Sequence, residues 1–257
     1  MTEVEWWRLK AAEINALAAR NAVVILPVGS TEQHGPHLPT QVDALLVGEI
    51  ARRAARKIIA TTPIVVAPTV WSGLAEHHMS LGGTLSLDFH TFFSLLQCLC
   101  RSLVRQGFPR ILILNGHGGN IMALNVVVNE LAVELNAPLA VTSYWLLAKE
   151  NFARILERQT ILRHACEAET SMLLALAPDL VDMSRAIDVV GPTAPEIADV
   201  VGSDAVHRWR SFQARTSHGV IGDPRAATAE KGQLLLEAAA EAVAGVCANS
   251  TFWALPA

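Results

Sequence analysis

Four short apolar runs punctuate the chain, at about residues 23–28, 64–67, 111–114 and 139–142. Runs of this length, bounded by turn-forming residues, read as buried β-strands. Between and after them lie longer segments with apolar residues at helical spacing, at about 42–59, 90–106, 121–136, 165–177 and 229–247. Gly107 stands where the second of these should end. A leading segment, about 4–20, predicts a helix with Trp6, Leu9, Ile14 and Leu17 on its buried stripe. Strands alternating with helices predict an α/β fold with three α/β/α layers, a mainly parallel sheet and right-handed crossovers. Residues 69–86 read as a long loop and 178–229 as irregular, with Pro178, Pro192, Pro195 and Pro224. Long loops in compact domains are usually functional.

Composition narrows this picture without changing it. A chain of 257 residues fits one large domain, 1–257, and 51% apolar residues can build its core. Only 17% of residues are charged, which hints that part of the surface is covered by further subunits. A net charge of −4 with no Lys/Arg cluster argues against nucleic acid and against membrane partners. The N-terminus lacks a basic-then-apolar leader, and no apolar stretch nears the roughly 18 residues of a membrane span. Cys98, Cys100, Cys166 and Cys247 match no zinc or disulfide spacing and read as buried free thiols of a cytoplasmic protein. Cys98 and Cys100 should face different sides of their helix.

The chemistry concentrates where the first strand gives way to a helix, in Gly29-Ser30-Thr31-Glu32-Gln33-His34-Gly35-Pro36-His37. Open α/β sheets place their sites at such strand ends. Glu32 and His34 are two apart, so extended backbone points them the same way. Asp43 follows at the start of the next helix and is suited to bridge two ions. His117 comes from another strand end, in Asn115-Gly116-His117-Gly118-Gly119-Asn120, where three glycines let backbone approach a ligand. Gly118 is therefore a candidate substrate contact. Glu, His and Asp are ligand types that hold a divalent ion and leave room for water. Two ions sharing a carboxylate and a water would generate hydroxide near neutral pH and polarise a carbonyl, which suits amide hydrolysis. Few cations stand near these motifs to hold a phosphate. His164, Glu167 and Glu169 open a helix and are candidates to protonate the leaving nitrogen. The two glutamates face different sides of the helix, so one at most reaches the site, and Glu169 is also a candidate metal ligand. Trp71, Glu76, His77, His78 and Trp145 are candidates to wall the pocket. His37, His90, His207 and His218 have no partner pattern and read as surface or structural.

Taken together these segments resemble the creatininase (creatinine amidohydrolase) family. The resemblance rests on Leu26 to Gly35 with Asp43, on Glu76-His77-His78 with Gly83 to Leu87, and on Asn115 to Asn120. Ser143-Tyr144-Trp145, Glu169 to Leu176 and Ala229-Glu230-Lys231-Gly232 also carry it. It implies one α/β/α domain, two divalent ions per chain (zinc, manganese or iron) and hydrolysis of a non-peptide or unusual amide C–N bond, in a small amide that is cyclic or open-chain. It also implies a homo-oligomer, often a hexamer. Carried over, Glu32 and His117 would hold one ion, His34 the other, and Asp43 would bridge. The chain departs from creatininases proper at Gly118 and Gly119, where they carry a Tyr and a metal-binding Glu. It departs again at Thr160-Ile161-Leu162-Arg163, where they carry Trp-Asp-x-Glu. Glu169 or solvent would then complete the second site, and creatinine becomes an unfavoured substrate. The Gly-His-Gly-Gly-Asn form is similar to relatives that deformylate a formamido-pyrimidine or trim a small precursor peptide. A metal-binding oligomer without turnover is the reading from another class.

Overall fold

The structure is a computed structural model that describes residues 2–192 and 209–254. The apolar runs become strands β1 (Val23–Val28), β2 (Ile64–Val66), β3 (Ile111–Asn115) and β4 (Leu139–Ser143). Among the described residues they form one parallel sheet in the order β2-β1-β3-β4. Side chains alternate across it, as strand geometry requires. Val23 and Ile25 face one core, whereas Val24, Leu26 and Val28 face the other. Leu112 and Leu114 follow the first pair, and Ile111 and Ile113 the second.

The helices are α1 (Ala11–Ala19), α2 (Val42–Ile58), α3 (Phe89–Arg105), α4 (Ile121–Leu135), α5 (Tyr144–Leu147), α6 (Lys149–Ile155), α7 (Glu167–Leu176), α8 (Ala229–Ala248) and α9 (Ser250–Trp253). Helices α2, α6, α7 and α8 bury apolar residues in the first core, and α1, α3 and α4 do so in the second. The three-layer α/β/α arrangement is therefore as the alternation predicts. The register sets Val28 beside Asn115 and Asn115 beside Ser143, so β1, β3 and β4 end level on one rim.

Two elements differ from the expectation. The leading segment is not one helix. Val4 and Glu5 run extended along β2, with Val66 N–H donating to Val4 O at 2.8 Å, and Trp6–Arg8 is only a 3-10 turn. Helix α1 starts afresh at Ala11, where the Glu13 carboxylate accepts the Lys10 N–H at 2.8 Å. Trp6, Leu9 and Leu17 still pack on the second core beside buried Ile14. Helix α7 starts at Glu167, not 165, because Ala165 takes a left-handed φ of 52° that helix geometry excludes.

Cys98 is exposed, whereas Cys100, Cys166 and Cys247 are buried free thiols. Among the described residues no helix is long and apolar enough to cross a membrane. His207 and Pro195 lie outside the described residues.

Candidate metal centre

The rim brings the ligand-type residues together. Glu32 and His34 lie beyond β1, Asp43 sits in the first turn of α2, and His117 follows β3. All four are at most 3% exposed. Gly116 makes this approach possible: a Cβ there would lie 2.8 Å from the Asp43 carbonyl oxygen and from Val47 Cβ. Asn115 clamps the loop. Its Oδ1 accepts the His117 N–H at 3.1 Å, and its Nδ2 donates to His117 O at 2.8 Å and to Ser143 Oγ at 3.0 Å. Asn120 Nδ2 donates to Gly29 O at 3.1 Å, while its Oδ1 accepts the Leu74 N–H at 2.9 Å. The long loop after β2 is thereby tied to the rim.

Hydrogen-bond partners fix where each imidazole turns its lone pair. His117 Nε2 lies 3.1 Å from Leu74 O, a pure acceptor, so Nε2 carries the proton. Nδ1 is then a lone pair, and it lies 3.0 Å from Glu32 Oε2 and 3.1 Å from Asp43 Oδ2. His34 Nδ1 donates to Glu32 O at 3.0 Å, which aims its Nε2 lone pair at Asp43 Oδ1, 3.2 Å away, and Glu169 Oε2, 3.9 Å away. Both Glu32 carboxylate oxygens, Asp43 Oδ2 and His34 Nε2 are buried without a hydrogen-bond partner. Lone pairs facing carboxylates in a buried site require a cation between them.

Two triads share Asp43: Glu32, Asp43 and His117, and His34, Asp43 and Glu169. A third grouping joins Glu32, His34 and His164. Within each, the donor atoms lie within 4.8 Å of one another. The residues thus fit divalent ions. Without ions, protons answer the same demand. Burial pushes the Glu169 carboxyl up to about 8, with His34 opposing. Burial works against the His34 imidazolium, yet Asp43 and Glu169 hold it up to about 9. Burial also raises Glu32, against the pull of His117. Asp43 is desolvated too, but the His34 and His117 imidazoles hold it well below the usual carboxylate range.

His164 closes the same space. Its backbone pairs with Ile221, donating at 3.2 Å and accepting at 2.9 Å, and its Nδ1 lies 3.5 Å from Glu32 Oε1. Glu169 accepts the Ala165 N–H at 2.5 Å, so the left-handed turn aims both residues inward. Glu167 points elsewhere, to Lys231 Nζ at 2.7 Å and to the N–H groups of Glu157 and Arg158. Sequence reasoning placed His78 only on the pocket wall. Its Nε2 is 3.1 Å from Glu32 Oε1, and Phe212 stacks on its ring at 3.8 Å. Phe212 and Gln33, the latter bonded to His78, were missed altogether. Gln33 lies between two ligand-type residues, and Phe212 carries no chemistry-bearing group, so neither gives a local signal.

The sequence matches the creatininase family, described as creatinine amidohydrolase, over residues 7–247. The chain belongs to the creatininase family. Among its relatives, a creatinine amidohydrolase of Pseudomonas putida is 33% identical over 94% of this chain and 93% of its own length. A mycofactocin precursor peptide peptidase of Mycolicibacterium smegmatis is 34% identical over 88% and 83%. A manganese creatininase structure superposes with a TM-score of 0.80 at 30% identity, covering 95% of this chain and 97% of that one. A mutant creatininase of Zn-Zn type also gives 0.80, at 29% identity over 96% and 97%. The relatives are hydrolases, and the chain is a hydrolase of C–N bonds.

Other predicted residues of this creatininase-family chain are spread around the centre. His77 stacks on His117 at 5.6 Å, and burial pushes it down to about 3. Gly118 is half-buried beside the same ring, in the 3-10 turn that follows it. Glu76 and Trp71 are exposed, and Trp71 holds the loop through its carbonyl, which accepts from Thr31 Oγ1 at 2.9 Å. Trp145 packs against the first core, edge-on to Tyr144. His37 is structural: it is buried and its Nε2 lies 3.0 Å from Thr170 Oγ1. His90 is exposed, and His218 Nδ1 lies 3.2 Å from Thr216 Oγ1.

Proposed function

We propose that this chain is a two-metal amidohydrolase that cleaves a C–N bond in a small, cyclic or formyl-type, amide. The observation that carries the reading is the pair of triads meeting at Asp43, with buried donor atoms that lack protein partners. Glu32, Asp43 and His117 would hold one ion and His34, Asp43 and Glu169 the other, zinc or manganese by analogy with the creatininases. Bound there, the ions would supply the Lewis acidity that acidifies a water and polarises an amide carbonyl. The protein does the rest. His164 is held neutral by burial, with His34 adding to the effect, so its Nδ1 can take the proton the attacking water gives up. It returns that proton to the leaving nitrogen as the C–N bond breaks. Phe212 and the His77/His78 rings limit water around the centre.

Gly119 argues against creatinine. A Cβ there would lie 2.4 Å from both His117 Nε2 and Leu74 O, so this loop has no space for a side chain in place of Gly119. The 34%-identical peptidase keeps a small peptide as the second reading of substrate. Trp71, Glu76, His77, Gly118 and Trp145 remain the proposed substrate contacts. We further propose a cytoplasmic homo-oligomer, a hexamer by analogy, which light scattering tests directly. The functional test combines elemental analysis of chelator-free protein with a panel of cyclic amides, formamides and short peptides. Near two ions per chain and metal-dependent turnover of one panel member are expected. Two ions without any turnover would favour the non-catalytic metal-binding reading.

A further inference from the structure

Gln33 is buried between two imidazoles, and its hydrogen bonds can be counted. Its Oε1 accepts the Gly35 N–H at 3.0 Å, which fixes the amide orientation and makes Nε2 the two-hydrogen end. That nitrogen approaches His78 Nδ1 at 2.8 Å, His164 Nε2 at 3.1 Å and Gly219 O at 3.3 Å. Two hydrogens cannot serve three acceptors. The backbone resolves the conflict, because His164 Nε2 also lies 2.8 Å from Gln33 O. A carbonyl oxygen only accepts, so His164 Nε2 must carry a proton and cannot accept from the amide. The amide hydrogens therefore go to His78 Nδ1 and Gly219 O.

Both rings are then Nε2–H tautomers, with opposite consequences. His78 has its Nε2–H on the side of Glu32 Oε1, 3.1 Å away, without a hydrogen bond between them, so that nitrogen has no lone pair for a metal ion. His164 turns Nδ1 towards Glu32 Oε1 at 3.5 Å, into the candidate centre. Burial favours the neutral form of both rings. We propose that residue 33 is a positioning residue: one peptide unit, through its side-chain amide and its own carbonyl, sets the tautomers of His78 and His164. The side chain puts the His78 proton on the nitrogen beside Glu32, and the carbonyl puts the His164 proton on the nitrogen away from it, which leaves Nδ1 as the nitrogen that faces the centre. The inference about tautomers stands on these distances, whereas the use made of the free Nδ1 rests on the amidohydrolase reading.

The test reads the tautomers directly. Full-length protein labelled with nitrogen-15 in histidine is loaded with zinc and studied by long-range proton–nitrogen correlation. Signals are assigned by their loss in His78→Gln and His164→Gln. In the wild type both rings should be neutral Nε2–H forms. Gln33→Glu replaces the donor facing His78 Nδ1 by an acceptor and should move His78 to the Nδ1–H form. His164, held by the backbone carbonyl, should keep its tautomer. Gln33→Met, which neither donates nor accepts, should leave His78 with a mixture of the two forms. A wild-type Nδ1–H signal for either ring, or a His78 tautomer unmoved in both variants, overturns the proposal. If a variant fails to fold, the wild-type spectrum alone still decides. Correct tautomers in a protein that cleaves no amide would sink the amidohydrolase reading and leave this inference standing.

Discussion

Asp43 is the residue on which both triads depend, since its two oxygens face His34 and His117 separately. Asp43→Asn keeps the volume but puts an amide group where one ligand oxygen stood. It should lower metal content from about two ions per chain to below one, with the fold retained, as elemental analysis and circular dichroism would show. Gly119→Ala tests the tightness of the His117 loop. Its methyl group would need space taken by Leu74 O and the His117 ring, so stability should fall by about 1–3 kcal/mol in urea denaturation. At this scale the residues that converge on the candidate centre were legible because Glu, His and Asp at strand ends are few and chemically distinct. Glu169 was separable from Glu167 by helix geometry, and the structure puts one on the centre and the other on Lys231. The contact between Gln33 and His78 was not legible, because residues 45 positions apart meet only in the folded chain.

Helix α7 carries Glu169 and is locked by an ion pair made elsewhere. Lys231, in the first turn of α8, reaches Glu167 at 2.7 Å and Glu157 at 2.8 Å, and Glu167 is fully buried. Removing the lysine strands a buried carboxylate that keeps only backbone donors. Lys231→Ala should therefore destabilise the fold by about 3–5 kcal/mol, and adding Glu167→Gln should recover part of the loss. Urea midpoints of the single and double variants check this. The strands and long helices were legible from periodicity. The break before α1 was not, because it follows from Val4 and Glu5 pairing along β2. The start of α7 was not either, because the left-handed Ala165 answers to Glu169 and to the Ile221 pairing of its neighbour His164.

For the molecule as a whole, the buried acids and imidazoles link stability to pH and metal. In the metal-free protein His34 titrates at about 9 against 6.5 when exposed, and Glu169 at about 8 against 4.5. The folded chain thus keeps protons that the unfolded chain has released. The share of stability from Glu169 should fall as pH rises from about 4.5 to 8 and that from His34 from about 6.5 to 9, so the two losses overlap from about pH 6.5 upward. Ions displace those protons, so stabilisation by zinc should grow over the same window. Melting temperatures with and without zinc at both ends of the window test this; a zinc effect that shrinks as pH rises would contradict the assignment of Glu169 and His34.

The sequence by itself determined the layered α/β fold, because strand and helix periods are written locally in side-chain order. It also determined which residue types stand at the strand ends, and hence the class of chemistry. Only the tertiary structure decided which of these side chains converge, which partner each ring nitrogen meets and which glutamate faces inward. Those choices depend on partners such as Leu74 O, the Gln33 amide and Lys231, brought close by packing across the rim and by no spacing along the chain.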